Sequence, residues 1–568
     1  MPVPSRPSGP PRISPADISP ADISPADLRF RQDRLRRGDA REVGLLPEQV
    51  DRIAVVAAAH LEPTADHPDH PSYAGAVVLA AKDGVIVQHA AVGSAVRYAS
   101  PDVELPVDRR VPTRPDTVYD LASVSKLFTA VALLQQAERG RVELDAPVAA
   151  HLPGFAAGGK AEVTVRMLLT HTAGLPASVP LWRDHPTPAR RLAAALAVVP
   201  SDPPGSRYRY SDLGFIALGA LVERVSGQPL DAVVREGITA PLGLHETGYN
   251  PASGMAPRIA ATEYQPGTGR GMVRGGVHDE NAWSLGGVAG HAGLFGTAVE
   301  LAVLCQALLN GGVHRDRRIL RETTVRAMLA NHNVHLGSAD PASDRGLGVD
   351  LNAHEYMMGL ASPVACGHTG FTGTSVVIDP LARAFVILLS NRVHPDRAWG
   401  GVNPARRAVA GAFAEAMPVR PLSGAAWRAE SRAGATVTLT APLRRPARAG
   451  RLRFALWYDT EPRAGVVSLQ TSPDGLAWSP TPMSLHGGPA RWHADGTVTG
   501  YGGRRWWQVS ADLVDGTTQV RWASVTNGPG QGRGVYVDRI TAADGGGVLF
   551  DGGDGDRPIA HGWAPASA

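Results

Sequence analysis

The sequence predicts an α+β domain, with an antiparallel sheet flanked by helices and a helical subdomain set into it, followed by an all-β sandwich. Three observations lead there. β-rich runs stand at both ends of the first 420 residues, at 75–81 and 85–91 around Lys82-Asp83-Gly84, and at 373–379 and 384–390 around Pro380. Helical periodicity fills the space between them, at 123–139, 164–170, 187–198, 212–226, 229–237 and 298–310. The composition then changes: eight of the eleven tryptophans lie at or after Trp427, among short apolar runs separated by Gly and Asp.

Taken in order, residues 1–41 read as a disordered tail. The unit Ile13-Ser14-Pro15-Ala16-Asp17 repeats twice more, ending at Asp22 and Asp27, and an Arg-rich stretch follows. Ser-Pro steps favour extended chain and supply little to bury. The first domain is expected over 42–420, opening with a helix near 47–60. Asp83-Gly84 between two β-rich runs is a hairpin signal, and a sheet assembled from both ends of a domain is the economical use of that element order. Residues 421–449, rich in Pro and Arg without a clear period, read as a linker. Over 450–568, runs at 451–458, 466–471, 506–510, 518–523 and 534–540 have the spacing of a β-sandwich.

A length of 568 residues suits two to four domains. The net charge of +3 is small for that size and its arginines are dispersed, so no nucleic-acid footprint is expected. Cys305 and Cys366 fit no metal spacing and read as free buried thiols, with a single disulfide between them as the alternative. No apolar run reaches membrane-span length, and residues 1–12 lack the apolar core of a signal peptide.

Lysine is scarce, occurring only as Lys82, Lys126 and Lys160, and Lys126 stands three residues after Ser123. On a helix those positions share a face. The serine falls in the first turn, where free amides and the dipole favour negative charge. A lysine buried there has its ammonium form disfavoured and can take a proton from a serine; the plainer alternative is a solvated lysine. Tyr210-Ser211-Asp212 follows the turn Pro203-Pro204-Gly205 and precedes a helix. Its tyrosine can relay protons beside a lysine, or the tripeptide is simply a helix cap. His368-Thr369-Gly370-Phe371-Thr372-Gly373 enters a strand. Such a glycine-spaced edge lets substrate backbone lie against the sheet with amides facing an oxyanion, or it is only a turn.

Ser-x-x-Lys, Tyr-x-Asp and His-Thr-Gly in that order resemble the serine β-lactamase and penicillin-binding-protein superfamily. Tyr210-Ser211-Asp212 stands where class A members carry S-D-N, and His368 replaces the lysine of K-T-G. Those departures point to the class C β-lactamase-like branch, which includes esterases and D-amino-acid peptidases, and speak against true β-lactamase activity. The stretches 165–176 and 210–219 look like the same branch, and the resemblance covers 42–420. It implies that Ser123 is the acylated nucleophile, that Lys126 and Tyr210 form the base system, and that the amides of Ser123 and Phe371 make the oxyanion hole. His368, Thr369 and Gly370 would border the substrate. Asp212 would orient the lysine or a substrate amide, or hold Lys126 protonated.

Residues 277–295 and 390–395 are similar to exo-acting N-acetylmuramoyl-L-alanine amidases and related serine hydrolases. That implies muropeptide-type substrates, with Asp279, Asn281 and His291 near sugar or amide groups and Arg392 near a carboxylate. The same residues could instead satisfy a Gly-rich loop. No cofactor is expected. His60, His67, Asp69 and His70 lie in a Pro-rich loop without ligand spacing, so no metal is assigned. The C-terminal sandwich resembles galactose-binding-like and MAM-like jelly rolls of secreted hydrolases, and is expected to touch cell-wall glycan or act as a spacer. The resulting expectation is an acyl-enzyme hydrolase of a cell-wall amide, extracytoplasmic by resemblance. The alternatives are an esterase, β-lactamase-like or D-amino-acid peptidase enzyme, or a silent glycan binder.

Overall fold

A computed structural model describes residues 23–567, apart from 66, 338–342, 431–433, 463 and 528–531. The chain forms two units, residues 24–417 and 418–568.

The first unit is organised by one sheet. Strands β1 (Gly75–Lys82) and β2 (Val85–Val96) join through Asp83 and Gly84, both left-handed at φ 49° and 76°, the backbone of the tight hairpin that the dipeptide signals. β1 then pairs antiparallel with β5 (Ala384–Ser390), from Ala76 opposite Ser390 to Lys82 opposite Ala384. β4 (Ser375–Asp379) and β3 (Cys366–Thr369) follow outward in antiparallel order. The two ends of the domain therefore share one sheet, and β1 is buried from Gly75 to Ala81, as a central strand must be.

Helices α1 (Pro47–Ala59) and α5 (Asn403–Glu415) cover one face. Val50, Ile53 and Ala57 meet Val409 and Phe413 over Val78, Ala80 and Leu388. Helix α4 (Ala298–Leu309) also packs on β1 and β5. In the insert, α2 (Ser125–Glu138) packs against α3 (Asp212–Ser226). α2 is buried from Ser125 to Gln136, more than the stripe of Leu127, Val131 and Leu134 suggests; it runs through the middle of the unit.

Two expectations need correcting. Residues 1–22 lie outside the described residues, but 24–41 are held to the first unit. Leu28 is buried, and Arg326 donates to the carbonyls of Pro25, Ala26 and Leu28 at 2.5–2.8 Å while lying over the Phe30 ring. Asp33 pairs with Arg383. The apolar residues Leu28 and Phe30 alternate with arginines, and that pattern was masked by charge. The stretch 421–449 is also more than a linker. Ala426–Ala429 and Thr436–Pro442 are strands, the second paired residue by residue with Gln519–Val525. Its polar–apolar alternation carries a strand despite the surrounding Pro and Arg.

The second unit is two antiparallel sheets enclosing one core. Phe454, Leu456, Trp507, Trp522, Val537 and Trp563 fill it. Of the tryptophans from Trp427 on, Trp457, Trp507, Trp522 and Trp563 are buried, and Trp427, Trp478, Trp492 and Trp506 are part-exposed. Among the described residues, no helix is long and apolar enough to cross a membrane.

Candidate active site

The segment that carries Ser123 is bent and stapled. Tyr119–Asp120 pairs with Leu294–Gly296, after which Ala122 takes φ 47°, a left-handed conformation that is costly for a residue with a side chain. Its amide donates to Asp120 Oδ1 at 2.8 Å. The hydroxyls of Thr372 and Thr374 donate to the carbonyls of Asp120 and Leu121 at 2.7 and 2.9 Å. A single 3-10 turn, Ala122–Val124, runs straight into α2. Ser123 therefore stands at the start of the helix with Lys126 one turn on, and Lys126 Nζ lies 2.8 Å from Ser123 Oγ. The other serine of this turn, Ser125, is buried and accepts the Leu294 amide.

Lys126 has no exposed surface. An ammonium has three N–H donors, and here they reach Ser123 Oγ at 2.8 Å, Asp212 Oδ1 at 2.8 Å and the His291 carbonyl at 3.1 Å. Burial lowers its pKa, but the Asp212 carboxylate and then Tyr210 outweigh burial and hold it above the ordinary lysine value. Of the roles expected for Asp212, which follows the helix cap Ser211, its carboxylate at Lys126 favours the one that keeps the ammonium charged.

At Tyr210 and its neighbours the capping reading is seen directly, and the tyrosine ring lies beside the lysine. Ser211 does cap α3, accepting from Gly214 N, and its own amide donates to His171 Nδ1 at 3.1 Å. Tyr210 meanwhile lies with its ring 4.9 Å from Lys126 Nζ and 4.5 Å from the His171 ring. His368 donates from Nδ1 to the Thr369 carbonyl at 2.7 Å, leaving a buried Nε2 without a partner among the described residues. Burial, with nearby cations including Lys126, holds His171 and His368 well below the ordinary histidine value.

The loop after β3 closes the other side. No described group accepts from the amides of Ser123 or Phe371. Gly370 permits this approach, since a Cβ there would stand 2.6 Å from the Leu121 carbonyl and 3.3 Å from Ala122 Cβ. Arg406 of α5 fixes the loop from behind, donating to the carbonyls of Gly370 and Thr374 at 2.6 and 2.9 Å. Burial pulls its guanidinium down to about 10. The half-exposed Phe371 ring stacks on His278, and the Arg392 guanidinium lies 4.8 Å from its centroid. Arg392 donates to the carbonyls of Gly400 and Arg397, but its buried Nη1 has no partner among the described residues.

Ser123, Tyr210, Asp212, Asp279, His291, His368, Thr369, Gly370, Phe371 and Arg392 line one cleft of about 890 Å³. Asn281 does not: it is buried, bonding the Val179 carbonyl and the Trp182 amide. Asp279 and His291 bond to each other at 2.8 Å, and burial, which opposes ionisation of Asp279, is outweighed by His291, so the carboxyl sits far below its usual range. His70 stacks on Trp399, and no three His, Cys, Asp or Glu among the described residues gather as a metal set. Cys305 and Cys366 are buried free thiols.

Reading the sequence missed Asp120, His171 and Arg406. Arg406 did leave a trace, since it falls on the buried face of α5 with Val409, Ala410 and Phe413, where a charge needs a partner.

The family model described as Beta-lactamase matches residues 62–411. A protein of Escherichia coli (strain K12), provisionally named D-alanyl-D-alanine carboxypeptidase, is 36% identical over 369 residues, covering 58% of this chain and 81% of the relative. A Salmonella enteritidis PT4 (strain P125109) protein of the same name is 34% identical over 359 residues, with the same coverage. Among solved structures, EstCE1, a hydrolase with promiscuous acyltransferase activity, aligns at TM-score 0.50 and 24% identity, covering 64% of this chain and 99% of that one. That last likeness is one of fold.

Proposed function

Given that the chain belongs to the Beta-lactamase family and is a serine hydrolase of the β-lactamase and penicillin-binding-protein type, we propose that Ser123 attacks an amide carbonyl of a cell-wall, muropeptide-type peptide and is transiently acylated. The observation that carries this reading is Lys126 Nζ at 2.8 Å from Ser123 Oγ, beside two amides with no acceptor among the described residues. Asp212 and Tyr210 favour the charged form of Lys126, which in this reading donates to Ser123 and leaves the proton transfer to Tyr210. Tyr210 takes the serine proton as it passes its own to the leaving nitrogen, a relay that balances without a free phenolate. The ammonium stabilises negative charge building on either oxygen, and the amides of Ser123 and Phe371 receive the carbonyl oxyanion. Water then enters where the amine left, and the relay runs in reverse.

The relatives' carboxypeptidase name supports a peptide amide whose leaving group ends in a carboxylate, and Arg392 Nη1 beside Phe371, unpaired among the described residues, would hold that carboxylate. His368, Thr369 and Gly370 border the same stretch of the cleft. The relatives' carboxypeptidase name is compatible with an extracytoplasmic protein. The C-terminal unit, with four part-exposed tryptophans, is read as a contact for wall glycan. The test is labelling by a fluorophosphonate and by a fluorescent penicillin, followed by mass spectrometry of digested muropeptides. Label on the Ser123 peptide, lost in Ser123→Ala, with release of a terminal amino acid or a lactyl-linked peptide, is the expected result. Label on Ser125, or an intact muropeptide pool, overturns the reading.

A further inference from the structure

Asp120 is a buried carboxylate, 2% exposed, that makes no ion pair with any described residue, an arrangement that burial makes costly. Its two oxygens are both taken by backbone amides instead. Oδ1 accepts from Ala122 at 2.8 Å and Oδ2 from His278 at 2.6 Å. Its own carbonyl accepts the Thr372 hydroxyl at 2.7 Å. Three segments far apart in sequence therefore meet on one residue: the turn that presents Ser123, the loop at 277–279, and the loop at 370–374.

Each of these contacts bears on the two amides assigned to the oxyanion. Ala122 is left-handed at φ 47°, and the Oδ1 bond to its amide holds that costly turn, which sets the direction of the next amide, that of Ser123. On the other side, the His278 ring stacks on the Phe371 ring, with centroids 5.7 Å apart and planes at 27°. His278 is itself held, its Nε2 bonded to Glu263 at 2.8 Å and its carbonyl accepting from Arg270 at 2.9 Å. Thr372 directly follows Phe371, so its tie to the Asp120 carbonyl fixes the chain beside the second amide. An asparagine here has one acceptor and one donor group, and would set N–H against N–H at Ala122 or at His278. We infer that Asp120 is a positioning residue of the oxyanion hole, its carboxylate and its carbonyl together holding the Ser123 and Phe371 amides at the separation a developing oxyanion needs. This rests on the proposed nucleophilic role of Ser123.

The experiment measures phosphorylation of Ser123 by diethyl p-nitrophenyl phosphate and by its phosphorothioate, in which sulfur replaces the phosphoryl oxygen. Both reagents meet the same serine and release the same p-nitrophenolate, so the ratio of their kinact/KI cancels a general loss of nucleophile or fold. Sulfur is a weak acceptor, so the oxygen reagent gains far more from well-placed amides. The native enzyme should exceed the oxygen-to-sulfur ratio of hydroxide in solution by about tenfold or more, and Asp120→Asn should lower the enzyme's ratio about tenfold, mainly through kinact. A native ratio equal to that of hydroxide, or an Asp120→Asn ratio within about twofold of native, overturns the inference. If Asp120→Asn does not fold, Thr372→Val, which removes only the tie to the Phe371 loop, decides in the same way, with a fall of about fivefold expected. A phosphorylated Ser123 with an unmoved ratio sinks the positioning role alone, whereas an unmodified Ser123 sinks the proposed function and this inference together.

Discussion

Lys126 Nζ and Asp212 Oδ1 lie 2.8 Å apart, the lysine without exposed surface and the aspartate at the cleft wall. The pair decides which group in this site moves protons. A lysine left alone in this position would be driven toward its neutral form; beside Asp212 it stays charged.

Because the folded value of Lys126 is raised, the ion pair's contribution is present below the unfolded lysine value of about 10.4 and fades only as pH rises past the higher folded value. Fluorophosphonate labelling of the native enzyme should therefore show no limb from lysine deprotonation up to about pH 10. Asp212→Ala leaves burial as the dominant influence and should bring such a limb to lower pH. It should also cost about 3 kcal/mol of stability in chemical denaturation, as an uncompensated buried charge does.

Tyr210→Phe removes the relay oxygen but keeps the ring that packs on His171. Acylation should slow by roughly 10²–10⁴-fold with an unchanged melting temperature. Combined with Lys126→Ala, the loss should be far from additive, because the two groups serve one transfer. Stopped-flow acylation rates check both statements.

Arg406→Ala should lower kcat by about 10²-fold with little change in KM, because it frees the Gly370 and Thr374 carbonyls and lets the Phe371 amide drift. Arg406→Lys should restore little, since a point charge does not reproduce a planar guanidinium that reaches both carbonyls through Nη2 and Asn403 through Nη1. Steady-state kinetics on a small amide separates kcat from KM.

Acid should destabilise the fold through its buried histidines. His394 accepts the amides of Arg97 and Tyr98, and burial lowers it to about 4. Its unfolded value is about 6.5, so the unfolded chain binds the extra proton, and stability rises with pH across that window and is lost as pH falls. His171 and His368 shift in the same direction. Each group contributes up to about 1.4 kcal/mol per pH unit between its two values. Thermal melts from pH 7 to pH 4 should fall accordingly, and His394→Asn should flatten the slope.

Truncation after Met417 should leave hydrolysis of small soluble substrates within about twofold, since the groups that line the cleft all precede that residue and each unit has its own core. A cut near residue 440 should aggregate, because it divides the strand Thr436–Pro442. Activity and sedimentation of both truncations distinguish the outcomes.

Local pattern was enough to reveal the hairpin at Asp83-Gly84, the helices that carry Ser123 and Asp212, the sheet assembled from both ends of the domain, and the β-sandwich after it. These follow from periodicity, turn chemistry and spacing along the chain, which are properties of neighbouring residues. Ser123 and Lys126 were legible for the same reason, one helical turn being a fixed distance. What depended on contacts between distant segments was not. Residues 24–41 and 436–442 looked featureless because charge and proline hid their alternation until a partner strand or Arg326 was in place. Asn281 shares a motif with Asp279 but turns into the protein to satisfy the Val179 carbonyl. The protonation of Lys126 was undecidable from residue types, since burial and an opposing carboxylate pull in opposite directions and only the 2.8 Å separation from a residue 86 positions away says which prevails. Sequence spacing specifies which groups share an element; the balance of desolvation against Coulomb attraction depends on distances across elements, and only packing sets those.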